Sequence, residues 1–316
     1  MKAYINRTPV RGPWGGGNQF VRAFHEWHGD NVTLVSSDQL SVAPDVILLA
    51  GLDNDNQGGV SAEQAIQYKM FMQGRKDIKV VVRVNENDAR KGTTGVDDLL
   101  LQLSQYTDGT VFVSNWLRDY FLEKGWADKN HTVIYNGVDQ EVFKRGDAIP
   151  NELNNIVAHH WSDNYMKGFD VYDKLDEWVG KNPGFTFTYI GRERGTFKNT
   201  KVVRPLHGKR LGEELGKYDV YVSASRFDPG PNHILEALAC GLPTFVHKDG
   251  GGCVEFAGAD HTYSTFEELV SLLTAGAWDG NDKAIRLSAW PDCIREYIDF
   301  LEATCQKAST SGFTNS

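Results

Sequence analysis

The chain has 316 residues, 41% hydrophobic and 24% charged, with a net charge of −9, which suits a globular protein of two ordinary domains. Lys and Arg are scattered without a basic run, which argues against stable nucleic-acid binding through many phosphates and against a basic amphipathic face on anionic lipid. No apolar run approaches the roughly 18 residues of a membrane span, and the start Met1-Lys2-Ala3-Tyr4-Ile5-Asn6 lacks the apolar stretch of a signal peptide. Cys240, Cys253, Cys293 and Cys305 show no Cys-x-x-Cys spacing, so structural zinc is not expected and a reducing, cytoplasmic setting fits.

From the first residue, short β-rich runs alternate with helical periods. Strands are predicted at residues 3–5, 32–35, 46–50, 80–84, 111–113 and 132–135, with helices at 19–26, 62–72, 96–105 and 116–124. Apolar strands alternating with amphipathic helices predict a parallel sheet covered on both faces. A polar break, Lys144-Arg145-Gly146-Asp147-Ala148-Ile149-Pro150-Asn151, marks a domain boundary, and the pattern then restarts. The second series has strands at 156–159, 186–190, 201–203, 220–224 and 244–246, with helices at 170–179, 211–217, 232–240 and 266–274. The expected organisation is an α/β fold of two doubly wound, Rossmann-like domains, residues 1–145 and 150–286. A further helix, Trp290 to Leu301, sets Ile294, Tyr297 and Leu301 on one face, and the polar residues 309–316 read as a disordered tail. Two such sheets facing each other make a cleft at the carboxyl ends of their strands, and the polar motifs all follow predicted strands.

The first motif, Arg11-Gly12-Pro13-Trp14-Gly15-Gly16-Gly17-Asn18-Gln19-Phe20, opens the first helix. Its glycines let the backbone approach a ligand closely, Asn18 is a candidate N-cap, and Trp14 and Trp161 are candidates for ligand contact. Phe20 excludes the Gly-x-Gly-x-x-Gly dinucleotide fingerprint. The run Arg83-Val84-Asn85-Glu86-Asn87-Asp88-Ala89-Arg90-Lys91-Gly92 follows a buried strand and offers Asn85, Asp88 and Arg90 either to a ligand or to a solvated turn. Asn136-Gly137-Val138-Asp139 reads as a structural Asn-Gly turn. His159 and His160 are neighbours on a strand and point to opposite faces, so shared metal ligation is not expected.

The most informative segment runs from Ser223 to Pro243. Asp228 and Glu236 stand eight positions apart around a Gly230-Pro231 turn that opens a helix. A helix start presents unpaired N–H groups and a partial positive charge, which suits a phosphate. A carboxylate one turn inside can accept hydrogen bonds from ribose hydroxyls, and one just before can meet a second polyol. Phosphate, ribose and another hydroxylated group are the parts of a nucleotide sugar.

This segment resembles the signature of retaining glycosyltransferases with the GT-B fold, which use nucleotide-diphosphate sugars: Glu, seven residues, Glu, then Ala, Gly and Pro. Glu236, Ala237, Ala239, Gly241 and Pro243 match, and Asp228 replaces the first Glu. Lys167-Gly168 matches the family's Lys-Gly at the donor diphosphate. The Arg that usually precedes it by five or six residues is replaced by Trp161 and Ser162, so the second cation is either supplied from elsewhere, with Arg192 or His233 as candidates, or absent. Gly15-Gly16-Gly17 matches a Gly-Gly turn placed between donor phosphate and acceptor, and Asn85 and Asp88 lie where the family has a His near the transferred sugar.

The resemblance implies a GT-B protein whose last helix, within residues 287–308, crosses back to the first domain. It implies transfer of a sugar from a UDP-, GDP- or similar nucleotide sugar to an acceptor hydroxyl, with retention, in glycan or glycoconjugate synthesis. The implied catalytic residues are Asp228, Lys167 and Asp88. Donor contacts are expected from Gly16, Gly17, Asn18, Arg192, Gly230, Asn232, His233, Ile234 and Glu236, with Glu236 on the ribose and the N–H groups near His233 and Ile234 on the diphosphate. Trp14, Asn85 and Arg90 are the acceptor-side candidates. No cofactor beyond the donor and no catalytic metal are expected, because the Asp53-Asn54-Asp55 triplet lies apart from the donor motifs. The acceptor would be a glycan, a lipid-linked or a small molecule, and the setting cytoplasmic or peripheral at the inner membrane face. The competing readings are a nucleotide-sugar isomerase drawing on Glu86, Asp88 and His207, a non-catalytic sugar-nucleotide binder, and a transferase acting on a modified DNA base.

Overall fold

A computed structural model describes residues 1–12, 15–35, 42–53, 59–276, 278 and 280–307. Trp14, Asn54, Asp55 and the tail 309–316 lie outside the described residues. The first sheet holds β1 (Lys2–Ile5), β2 (Thr33–Leu34), β3 (Val46–Leu49), β4 (Lys79–Val84), β5 (Gly109–Phe112) and β6 (His131–Val133), all parallel, in the order β2-β1-β3-β4-β5-β6. Helices α1 (Gly16–Trp27), α2 (Ala62–Met72), α3 (Asp88–Lys91), α4 (Val96–Leu103) and α5 (Asn115–Glu123) connect them.

The period-2 alternation of the strands divides the core. Ala3, Ile5, Leu48 and Val81 face α1 through Phe20 and Phe24. Tyr4, Ile47, Leu49 and Val82 face α2, α4 and α5 through Ile66, Leu100, Leu117 and Phe121. Both faces are therefore apolar, as a buried parallel sheet requires.

The second sheet is again wholly parallel: β7 (Asn154–His160), β8 (Phe185–Gly191), β9 (Lys201–Val203), β10 (Val220–Ser223), β11 (Thr244–His247) and β12 (Thr262–Tyr263), in the order β12-β11-β10-β7-β8-β9. Its helices are α6 (Phe169–Val179), α7 (Lys209–Leu215), α8 (Asn232–Ala239), α9 (Gly252–Ala257) and α10 (Phe266–Ala275). The strand order reverses between β7 and β10, where an open α/β sheet parts its loops to make a crevice. Val220 pairs with Ile156 and Tyr221 with Val157, which brings the end of β7 beside the loop that leaves β10.

The last helix, α11 (Trp290–Gln306), returns to the first sheet. Ile294, Tyr297 and Leu301 join the α1 side of its core, and the Tyr297 and Phe20 rings lie 4.6 Å apart. No helix among the described residues is long and apolar enough to cross a membrane.

Three strands or α-helices of the described residues went unread in the sequence. α3 spans four residues, held by Asn87, whose side chain accepts from the Arg90 N–H. β12 is a two-residue edge strand. α9 opens within Gly250-Gly251-Gly252, a composition that disfavours helix, with Gly251 at its N-cap.

Candidate active site

The two sheets face each other across a cleft of ≈ 860 Å³ at their carboxyl ends, and Asp228 and Glu236 both line it. α8 starts at Asn232 behind Pro231 and is drawn inward by Ile234, Leu235 and Ala237, which pack against Tyr221 and Val246. Glu236, one turn in, is buried. Its Oε2 lies 2.7 Å from His159 Nε2 at the end of β7, and Gln19 Nε2 of α1 donates to its Oε1 at 3.2 Å. The N–H groups of Asn232 and His233 have no carbonyl one turn back. That of Ile234 donates to Pro231 O at 3.0 Å, and its side chain is fully buried in the core. Ile234 is thereby corrected from a donor contact to a packing residue.

Asp228 is pinned by backbone: its N–H donates to Gly250 O (3.1 Å) and its carbonyl accepts from Gly252 N–H (2.8 Å). The preceding Phe227 takes φ 52, a strained left-handed conformation of the kind found at functional sites. The carboxylate holds two cations, Lys167 Nζ at 2.9 Å and Arg90 Nε at 3.4 Å. Burial opposes its ionisation, but Lys167 and Arg90 outweigh burial and hold the carboxyl well below the usual range. Burial, reinforced by Arg90, lowers the Lys167 ammonium from its ordinary value, while Asp228 pulls the other way. Lys167 ends a one-turn 3₁₀ segment, Tyr165–Lys167, closed by Gly168 at φ 90. A Cβ at Gly168 would sit 2.3 Å from Ala224 O, so only glycine fits.

His233 points inward. Its Nε2 lies 2.9 Å from Ser223 Oγ and 3.9 Å from Cys253 Sγ. Burial and then Lys167 push its pKa well below the usual imidazole value, which disfavours His233 as the second cation. Atoms of Asp228, His233 and Cys253 lie within 4.8 Å of one another. A metal ion there would have to share the Asp228 carboxylate with two cations already on it. Arg192 is exposed and stacks 4.5 Å over Trp161, which itself lines the cleft.

The first domain contributes through α1 and the loop after β4. Gly16 lies against the Asn232 side chain, Gly17 near Asn85, and Gly230 against Val113. Asn18 is not the N-cap of α1, a place held by Gly15. Its side chain instead accepts from Val10 N–H (2.7 Å) and donates to Val10 O (2.8 Å), fixing the loop before the helix while its residue lines the cleft. Asp88 turns away: its carboxylate accepts from Thr93 Oγ1 (2.8 Å), Val96 N–H (3.2 Å) and Asp97 N–H (2.9 Å), closing the turn into α4. It is a structural residue. Asn85 and Arg90 line a second, smaller cavity of ≈ 240 Å³ beside Gly17 and Asp228. Arg90 also reaches the main cleft, so its place is at Asp228 and Lys167 as well as on the acceptor side.

Gln19, Asn136 and Glu255 were not singled out for this site in the sequence. Arg83 Nη2 donates to Asn136 Oδ1 (2.8 Å), Asn136 Nδ2 to Asn232 Oδ1 (2.6 Å), and Asn232 Nδ2 to Gln19 Oε1 (2.9 Å). With Gln19 and Glu236 this chain of bonds crosses the cleft three times. Glu255 of α9 accepts from Asn115 and Trp116 N–H at the start of α5, at 3.1 and 2.9 Å, and from Tyr135 OH. Their signal was absent because each is an ordinary residue type whose partner is more than 90 positions away or in the opposite domain.

No protein-family model and no curated protein matches the chain. Among solved structures, it is similar to Anabaena HepE in complex with UDP and glucose, with a TM-score of 0.65 and 14% identity over 96% of this chain and 97% of that one. The lipopolysaccharide outer core galactosyltransferase WaaB gives 0.63 and 12%, over 96% and 99%. The sucrose-phosphate synthase of Thermosynechococcus elongatus gives 0.60 and 15%, over 96% of both chains. The fold is therefore GT-B over essentially the whole chain.

Proposed function

We propose that this GT-B chain is a retaining glycosyltransferase that moves a sugar from a nucleotide-diphosphate sugar to an acceptor hydroxyl. The observation that carries the reading is the pair Asp228 and Glu236, both lining the cleft on either side of the start of α8, with Lys167 on Asp228. The UDP bound by HepE and the galactosyl transfer named for WaaB support it by analogy of fold.

In this reading the diphosphate rests at the N–H groups of Asn232 and His233 and on Lys167, which stabilises the charge that develops on the leaving phosphate. Glu236 takes the ribose hydroxyls on the lone pairs that His159 and Gln19 leave open, since a carboxylate accepts about four hydrogen bonds. Asp228 orients the sugar ring through its hydroxyls. The bond from the anomeric carbon to the diphosphate oxygen breaks as the acceptor oxygen bonds to the same face, and the departing phosphate takes the acceptor's proton. Positioning and charge stabilisation lower the barrier, with Lys167 and Arg90 in place of a metal.

The division into domains of residues 1–145 and 150–286, with the crossing helix within 287–308, is part of this proposal. So are a glycan, lipid-linked or small-molecule acceptor and a cytoplasmic place, either free or peripheral at the inner membrane face. The test is a thermal-shift screen of nucleotide sugars, because a ligand of the native state raises the melting temperature. Transfer assays with the best donor follow, with and without EDTA. A shift with one nucleotide-diphosphate sugar and EDTA-resistant transfer with retained anomeric configuration are expected. No shift with any donor would sink the reading, and conversion of donor without acceptor would replace it with an isomerase.

A further inference from the structure

The glycosyltransferase signature that this chain resembles carries an Arg five or six residues before its Lys-Gly, where this chain has Trp161 and Ser162. Arg90, from the opposite domain, stands beside that gap. Its Nε is 3.4 Å from Asp228 Oδ2, the atom that Lys167 approaches to 2.9 Å, and its Nη1 is 3.5 Å from Asn164 Oδ1. Arg90 shares both cavities with Ser162 and Lys167.

The backbone that carries Arg90 is held from both domains. Asn87 Oδ1 accepts from the Arg90 N–H (2.7 Å), while Asn87 Nδ2 donates across the cleft to Phe227 O (3.1 Å). Asn164 Nδ2 donates to Lys91 O (3.2 Å) from the other side. Two cations thus converge on one carboxylate, all three largely buried. A buried charge without a partner is unfavourable, so this cluster has room for more anion than Asp228 alone provides.

Resting on the donor reading above, we propose that Arg90 is the second diphosphate-binding cation, delivered in trans from the first domain. The donor diphosphate is then gripped by Lys167 of one domain and Arg90 of the other. The diphosphate would then tie together two domains that Arg90 and Asp228 already bring into contact, and a nucleoside monophosphate would be held less well.

The experiment measures binding of UDP, GDP, UMP and GMP by calorimetry to the wild type, Arg90→Gln, Arg90→Lys and the double variant Arg90→Gln/Ser162→Arg. Far-ultraviolet circular dichroism and melting temperature confirm folding. Loss of one charged contact is expected to weaken the preferred diphosphate about tenfold or more in Arg90→Gln, with the matching monophosphate changed less than about twofold. Arg90→Lys should fall between, and Ser162→Arg should restore diphosphate affinity in the Arg90→Gln background by placing the cation where the family has it. Undiminished diphosphate affinity in Arg90→Gln, or an equal loss for mono- and diphosphate without rescue by Ser162→Arg, would overturn the proposal and leave the donor reading standing. Failure of the wild type to bind either diphosphate would overturn both.

Discussion

Glu236 and Asp228 are buried acids of one cleft, held by different partners. Glu236 meets His159 and the amide of Gln19, which leaves lone pairs for a diol; Asp228 carries two cations. Glu236→Ala should therefore weaken nucleoside-diphosphate binding by about 1.5–3 kcal/mol, the range for hydrogen bonds to a charged group, with the fold retained. Wild-type affinity by calorimetry would remove Glu236 from the ribose role. Asp88 supplies the contrast. Its carboxyl is held below the usual range because, although burial opposes ionisation, hydrogen bonds from the 93–97 turn prevail. Asp88→Ala should cost about 1 kcal/mol of stability, as loss of a helix cap does, and leave donor affinity unchanged. A selective loss of binding would return it to the site.

Among the elements, the α5–α9 contact joins the domains most directly away from the ligand. A carboxylate at the first turn of α5 serves both as a cap and as a charge favoured by the helix dipole, and here it is supplied by Glu255 of the other domain. Burial and then Glu255 raise the Tyr135 hydroxyl far above its ordinary pKa, which keeps it a donor to Glu255. Glu255→Ala should lower stability by about 1–2 kcal/mol. It should also loosen the pair of domains, read as a larger radius of gyration in solution scattering. An unchanged melting temperature and radius would show that the contact holds nothing. The glycine-rich entry to α9 concealed this element, although it positions Glu255 and Cys253.

For the molecule as a whole, buried titratable groups of the second domain set the acid limit of stability. His160 is buried with Nε2 2.7 Å from Tyr172 OH, and burial, then Lys167, lower its pKa well below normal. His233 behaves alike. Above about pH 6.5, the usual imidazole value, both states are neutral and nothing changes. As pH falls below that, the unfolded chain takes protons that the folded imidazoles refuse, and stability declines. Asp228, whose folded pKa is depressed, contributes stability above the ordinary carboxylate pKa and loses it as pH falls toward the folded value. The imidazoles act first, so the melting temperature should drop from pH 6.5 to 4.5, and the loss at Asp228 adds to it only below about pH 4. His160→Gln, which can still bond Tyr172, should flatten the upper part of that slope. Identical slopes would show that His160 does not carry it.

Local patterns were enough to state most of the architecture. Continuous apolar runs such as Val46 to Leu49 and Val80 to Val82 had to be strands buried on both faces, and the glycine and proline breaks around residue 146 had to separate two such sets. Asp228 and Glu236 stood out by type and spacing and Lys167-Gly168 through the resemblance to the glycosyltransferase signature, and the fold brings Asp228, Lys167 and Glu236 to one cleft. Charge partners were not. Arg90 stood in a polar run that read equally well as a solvated turn. Asp88 looked like a free acid until the turn at 93–97 folded onto it, Ile234 lost its N–H to Pro231, and His233 turned inward to Ser223. Arg90 was placed by its distance to Asp228 in the other domain, and Asp88, Ile234 and His233 by the direction in which one side chain or N–H turns. Strand order and domain packing set such distances, whereas periodicity and composition act only along the chain.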